Sequence, residues 1–332
     1  MKRILPLIIA SLLLLTACHP QASYNRLEGA MLGTTFRVIV QSEQPSEGIY
    51  KRILEIDAEM KGSMSIFDPH SRVSRLNQNL TDSVDHHIAY NLELANEISR
   101  LSEGAYDVTV YPLVKAWGFA ATAREERPNL DSLLEFVGYE KVWIEEGRLH
   151  KQDPRVQLDF NSIAKGYTVD CICQMLEELG AENYLADVGG EVRCRGKNSH
   201  GEAWRIGVER PEEGILYGSS TEARIALNEG ALATSGNYRR FFINPDGAKV
   251  AHTIDPKTGE SILTRLLSVS VVAESCARAD ALATMYLSMG DQRALALAQS
   301  DPEAKVLFIL APEQEGDPLE VWFSPAMEQM IL

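Results

Sequence analysis

Apolar and polar positions alternate through TTFRVIVQ, residues 34–41, the pattern of a strand with one face buried. The period then lengthens. Ile49, Ile53, Ile56 and Met60 recur at helical spacing, and so do Ile88, Leu92, Ala95 and Leu101 in a second segment that Gly104 stops. AATAREERPN, 120–129, has the composition of a surface loop, and Asn129 stands where it would cap a short helix. Beyond residue 140 short β-type runs dominate: KVWI, RVQLD, NYLADV, EVRCRG, WRIGVE, ARIAL, RFFI and LLSVSVVA. Two helical patterns interrupt them, near 163–179 and 275–289, and KVLFIL with LEVWF predicts a closing strand pair. Strands gathered in this way, without a regular βαβ alternation, predict an α+β fold with a mixed or antiparallel sheet flanked by helices. No Pro-, Gly- or Ser-rich boundary divides the chain, so residues 28–332 are expected to form a single large domain.

The start of the chain reads differently. Lys2 and Arg3 precede an apolar run, Ile4–Leu15, of 12 residues. That is short of the roughly 20 that cross a bilayer and fits a signal peptide over residues 1–17. LTAC closes it and resembles the bacterial lipobox, in which Cys18 would be acylated; a plain secretory signal is the alternative. Residues 18–27 then read as a polar, lipid-anchored tether. The expectation is an exported protein anchored to a bacterial membrane and facing the periplasm, with the choice of inner or outer membrane open.

Charge narrows the partners. The 332 residues carry 32 Lys and Arg against 47 Asp and Glu, a net charge of −15, and loss of Lys2 and Arg3 would make the chain more acidic. Such a balance argues against a nucleic-acid surface, which needs clustered basic residues, and favours a cationic or metal-bridged ligand. Cys171, Cys173, Cys194 and Cys276 form no CxxC pair, and Cys171 and Cys173, two apart on a helix, point away from each other. They are expected to be free thiols. No GxGxxG follows a strand, and GxxxxGK[ST], GxSxG and HExxH are missing, which removes the Rossmann, Walker, hydrolase-elbow and zincin readings.

Several residues remain that bear chemistry. Asp159 ends a predicted strand, and Lys165 lies in the first turn of the helix after it, where the dipole disfavours a cation. A bound phosphate would reverse that penalty, and a simple Asp159–Lys165 pair would also account for it. Gly189-Gly190 predicts a tight turn between strands. His252 precedes the turn signature DPKTG and is open to two readings, a general base or a structural hydrogen-bonder. CARADALATMYLSMG, 276–290, is small and apolar yet sets Asp280 and Thr284 on one helical face. Two oxygen-bearing side chains so placed suit a hard cation such as Mg²⁺, or Thr284 bonds back to its own helix.

Eight stretches occur together and in order: MLGTTFRV, EGAYDVTVYPLV, WGF, DFNSIAKGYTVD, DVGGEVRCRG, ATSGNYRRFF, HTIDPKTG and ADALATMYLSMG. In this the chain resembles the ApbE family, the FAD:protein FMN transferases, over essentially its whole mature length. The resemblance implies a T-fold-like domain that binds FAD and Mg²⁺ and moves FMN onto a threonine hydroxyl of an exported redox protein, releasing AMP. It implies metal ligation by Asp280, Thr284 and the carbonyl of Ser162. FAD contacts carry over to Leu32, Phe67, Ala105, Tyr106, Asp107, Trp117, Asp159 and Lys165, and His252 matches the family's base, so His252 and Asp280 become the catalytic pair. Leu32 stands where the family usually has Met, Phe67 where it has Tyr, and Asn161-Ser162 where Gly-Ala is common. The family's acceptor motif, Asp-Gly-x-Thr-Gly/Ser-Ala-Thr, is absent, so the implied partner is another chain, of the quinone-reductase or electron-transport-subunit type. A pyrophosphatase yielding FMN and AMP, and a lipoprotein that only holds FAD, are the alternatives.

Overall fold

The computed structural model describes residues 23–120, 128–211, 220–237, 241–243, 247, 249–314 and 316–332. The expected signal peptide, Cys18 and most of the loop over 120–129 lie outside them. The described helices are α1 (Ser46–Met64), α2 (Arg72–Asn77), α3 (His86–Leu101), α4 (Tyr111–Ala116), α5 (Leu130–Leu134), α6 (Ala164–Glu178), α7 (Cys276–Ser300) and α8 (Pro325–Glu328). The strands are β1 (Tyr24–Met31), β2 (Thr34–Gln41), β3 (Val142–Glu145), β4 (Arg148–Lys151), β5 (Tyr184–Val188), β6 (Glu191–Arg195), β7 (Trp204–Glu209), β8 (Thr221–Leu227), β9 (Glu229–Gly236), β10 (Phe241–Ile243), β11 (Lys249–Ala251), β12 (Leu266–Ala273), β13 (Val306–Leu310) and β14 (Glu320–Phe323).

Eight strands form one antiparallel sheet in the order β1-β2-β5-β6-β9-β12-β13-β14, and β3-β4, β7-β8 and β10-β11 pair as separate ribbons. Side chains alternate across a strand, and the core divides accordingly. Tyr184, Ala186 and Val188 of β5 pack under α1, α3, α6 and α7, and Leu185 between them turns to the opposite face. The same division holds in β13, with Val306 and Phe308 on the helical side and Leu307 and Ile309 against β7, β8 and α8. With both faces covered, β5 is buried along its whole length, which is why NYLADV shows little polar alternation. The expected α+β architecture, a large antiparallel sheet flanked by helices, is what the chain adopts.

The local differences have physical causes. Residues 24–27, read as tether, belong to β1, which pairs with β2 from Tyr24↔Gln41 to Met31↔Thr34 through a turn at Leu32-Gly33. Leu32 takes a left-handed φ of 47° there and its N–H donates to Asp57 Oδ1 at 3.0 Å. RVQLD, expected as a strand, makes one isolated bridge at Gln157 and joins no ladder among the described residues. The Asn77 side chain takes the strand partner's place, accepting from the Leu158 N–H at 2.7 Å and donating to its carbonyl at 2.9 Å. Leu101 is 48 % exposed, and Ile98, fully buried, completes the apolar face of α3. Helix α7 runs past residue 289 to Ser300 because Gly290, at φ 74°, joins two helical segments through a kink. The four cysteines are free, with Cys171 half-buried and the others buried.

One close contact sets how α6 and α7 are seated. Helices α6 and α7 meet at Gly166, where an added Cβ would lie 2.3 Å from the Cys276 carbonyl oxygen and 2.8 Å from Asp280 Cβ. Gly166→Ala is therefore expected to force the two helices apart and cost about 1–3 kcal/mol. Urea unfolding would measure it, and a variant as stable as the parent would contradict the close approach.

Candidate functional site

A cavity of about 360 Å³ opens where five parts of the fold converge. That size lies within the usual range of small-ligand sites, about 300–1,000 Å³. The segment leading from α3 to α4 contributes Ala105, Tyr106 and Asp107, and the entry of α6 contributes Asp159, Ser162 and Lys165. The β5–β6 turn brings Gly189, Gly190 and Glu191, with His252 just after β11 and Asp280 and Thr284 on α7. Nine of the residues implied by the resemblance thus share one cavity. The other three stand outside its lining: Leu32 in the β1–β2 turn, Phe67 in a surface turn at 55 % exposure, and Trp117 at the end of α4. Trp117 Nε1 donates to the Gly259 carbonyl at 2.8 Å and ties down the loop that carries His252.

The start of α6 leaves first-turn backbone groups for partners outside the helix. The Gly166 N–H, in the first turn of α6 after the N-cap Ile163, has no partner within the helix. It donates to Asp280 Oδ2 at 3.0 Å. The Ser162 hydroxyl donates to the Tyr106 hydroxyl at 2.9 Å, fixing the residue whose carbonyl is concerned. One turn after Asp280, Thr284 Oγ1 lies 2.9 Å from Ser235 Oγ of β9, so it does not look to its own helix for its contact. Among the described residues no three His, Cys, Asp or Glu side chains form a metal-binding group. A carboxylate, a hydroxyl and a carbonyl are the donors that a hard cation such as Mg²⁺ accepts.

Electrostatics set the character of the pocket. Asp280 is 3 % exposed, and burial, with Glu191 nearby, pushes its carboxyl up to about 8 in the absence of a cation, against the pull of Lys165. Lys165 bonds Glu191 rather than Asp159, whose Oδ1 accepts the Asn161 N–H at 2.8 Å. Burial opposes the Lys165 charge, but Glu191 and Asp280 outweigh it and raise its pKa. Glu191 is itself 2 % exposed in its side chain and has its second carboxylate oxygen without a hydrogen-bond partner. Sequence reasoning passed over Glu191, although its place directly after the Gly-Gly turn, pointing inward on β6, was a usable signal. Phe119 was likewise missed as an individual residue; it lines the cavity with its ring 6.2 Å from that of His252, edge to face.

Asp107 accepts from both the N–H and the hydroxyl of Thr109 at 2.7 Å, yet burial still pushes its carboxyl up to about 6. The folded chain then holds a proton that the unfolded chain releases near pH 4, so ionisation lowers stability as pH rises from about 4 to 6. Asp107→Asn should accordingly gain about 2 kcal/mol relative to the parent between pH 4 and 7. Paired urea titrations across that range would show it; a constant difference would mean that Asp107 titrates normally.

Comparison with known proteins identifies the family. The ApbE family model matches residues 32–308. A Vibrio cholerae protein named FAD:protein FMN transferase is 38 % identical over 313 residues, covering 91 % of this chain and 92 % of its own. The solved flavin transferase ApbE of Vibrio cholerae superposes with a TM-score of 0.81 at 33 % identity, over 93 % of this chain and 99 % of that one. The Pseudomonas stutzeri flavinyl transferase ApbE, in its apo form, gives a TM-score of 0.82 at 28 % identity, over 93 % and 96 %. With a family match across most of its length and relatives aligned nearly end to end, this chain belongs to the ApbE family.

Proposed function

We propose that this chain transfers FMN from FAD to a threonine hydroxyl of another protein and releases AMP, with Mg²⁺ as its metal. The observation that supports the reading is the junction of α6 and α7, where Ser162, Asp280 and Thr284 line one cavity and the Asp280 carboxylate accepts the Gly166 N–H. When bound there, Mg²⁺ would offset phosphate charge and polarise a phosphoryl oxygen. The chain's own residues supply the rest. Lys165, held charged by Glu191, offers a cation to the pyrophosphate. Tyr106 and Asp107, packed against the entry of α6, shape the wall on which FAD rests. His252, on a loop closed by the Gly259 N–H to Asp255 carbonyl bond at 2.8 Å, takes the proton of the attacking hydroxyl. The threonine oxygen forms the new bond to the FMN phosphorus, and the bond from that phosphorus to the AMP oxygen breaks.

The acceptor is read as an exported subunit of a quinone reductase or electron-transport complex, and the enzyme as an exported lipoprotein held by Cys18. Both rest on the resemblance. The chain without residues 1–21, mixed with FAD, Mg²⁺ and a protein bearing the acceptor motif, should add the mass of FMN to that protein and release AMP in equal amount. Free FMN and AMP without an adduct would make it a pyrophosphatase. FAD bound intact would make it a flavin-holding protein.

A further inference from the structure

We propose that Asp170, which lies outside the cavity lining, is the positioning residue that registers the two halves of the cation mount. The inference rests on the reading that Ser162, Asp280 and Thr284 serve one cation. Those donors come from two helices, so their mutual distances depend on how α6 and α7 are seated.

Asp170 controls that seating. It lies on α6, one turn beyond Gly166, with its side chain largely buried. Its Oδ1 accepts the Cys276 N–H at 2.9 Å, and its Oδ2 accepts the Ala277 N–H at 2.8 Å. These are first-turn donors that α7 cannot satisfy internally. The helix's own cap, Ser275, accepts only the next one, from Arg278, at 3.3 Å. Asp170 is thus a cap supplied by the neighbouring helix. Together with the Gly166–Asp280 bond it fastens α6 to α7 at two points.

A third element holds the cap itself. Arg193 of β6 donates from Nη1 to Asp170 Oδ1 at 2.7 Å. Arg193 is two residues from Glu191, so it sits on the same side of the strand, and Glu191 in turn holds Lys165. Two ion pairs therefore bridge α6 to β6, one at the cavity and one behind it. Mg²⁺ demands near-ideal octahedral geometry at about 2.0–2.1 Å, so a small slide between α6 and α7 would separate the donors.

The test measures metal binding directly, using Mn²⁺ as the probe and electron paramagnetic resonance to count the free ion. Asp170→Asn keeps the shape but weakens the clamp. It should weaken Mn²⁺ binding by about 10–100-fold, as for residues that orient metal ligands. Transfer should recover toward the parent rate when Mg²⁺ is raised to saturation. Ser275→Ala removes the other cap of α7 and should lower the melting temperature by a few degrees while leaving Mn²⁺ affinity within about twofold. Arg193→Gln, a second route to the same clamp, should weaken Mn²⁺ in the same direction by about 3–10-fold, and it stands in if Asp170→Asn does not fold. Unchanged Mn²⁺ affinity in the folded clamp variants, or an equal loss in Ser275→Ala, would overturn the assignment. Asp280→Ala separates the two levels: if it binds Mn²⁺ as the parent does, the cation reading itself fails and takes this inference with it.

Discussion

Asp280→Ala is expected to reduce FMN transfer by at least about 10³-fold while leaving the chain folded. Asp280 is the one carboxylate in the donor set; Thr284 and the Ser162 carbonyl are neutral. Neutral oxygens alone do not repay Mg²⁺ for the water it must shed, so the site would lose its metal. A thousandfold loss corresponds to about 4 kcal/mol, in the range expected when a cation no longer stabilises charge on a transferring phosphoryl group. The effect on stability should be far smaller, because two contributions oppose. The Gly166 N–H loses its acceptor, worth about 1–3 kcal/mol, while a buried carboxyl and its desolvation disappear. Circular dichroism should match the parent, and transfer should stay low at every Mg²⁺ concentration. Transfer within tenfold of the parent at limiting Mg²⁺ would remove Asp280 from the mechanism.

The second large effect should fall on a different step. His252→Ala should cut transfer by about 10²–10⁴-fold, the usual worth of a general base, without weakening FAD binding. His252 sits at the cavity wall against the edge of Phe119, on a loop tied down through Trp117 and Gly259, and that tie survives the substitution. The space left by the ring would admit imidazole, so added imidazole should restore part of the rate as the free base takes up the proton. FAD fluorescence titration and the transfer assay together separate the roles. If FAD affinity fell by as much as the rate, His252 would be a binding residue; a variant within threefold of the parent would not have lost a base.

Much of this arrangement is legible in the sequence. The helical face of Ile49, Ile53, Ile56 and Met60 is buried as its spacing requires, and Asn129 caps α5 by accepting the Ser132 N–H at 3.2 Å. Periodicity carries such features because burial of one face is a local property of sequence. What it missed depends on partners far away in the chain. RVQLD has the composition of a strand, but Asn77, some eighty residues earlier, occupies its edge. Lys165 sits where a helix dipole disfavours it, and its partner, Glu191, comes from a strand across the fold rather than from Asp159 nearby. Residues 24–27 look polar in isolation and become strand only through β2.

The site divides the same way. The pairing of Asp280 with Thr284 follows from helical geometry and could be read directly. The bond from the Gly166 N–H to Asp280, the clamp at Asp170 and the tie from Trp117 to Gly259 all require knowing how α6, α7 and the His252 loop pack. A sequence names the residues of one helix face; it does not state the distance to the next helix.

The direct test of a cation seated between α6 and α7 is anomalous diffraction from crystals grown with Mn²⁺. A single strong peak about 2.1 Å from an Asp280 carboxylate oxygen, Thr284 Oγ1 and the Ser162 carbonyl is the predicted result. A map with no peak there, or with the ion bound to other residues of the cavity, would contradict it.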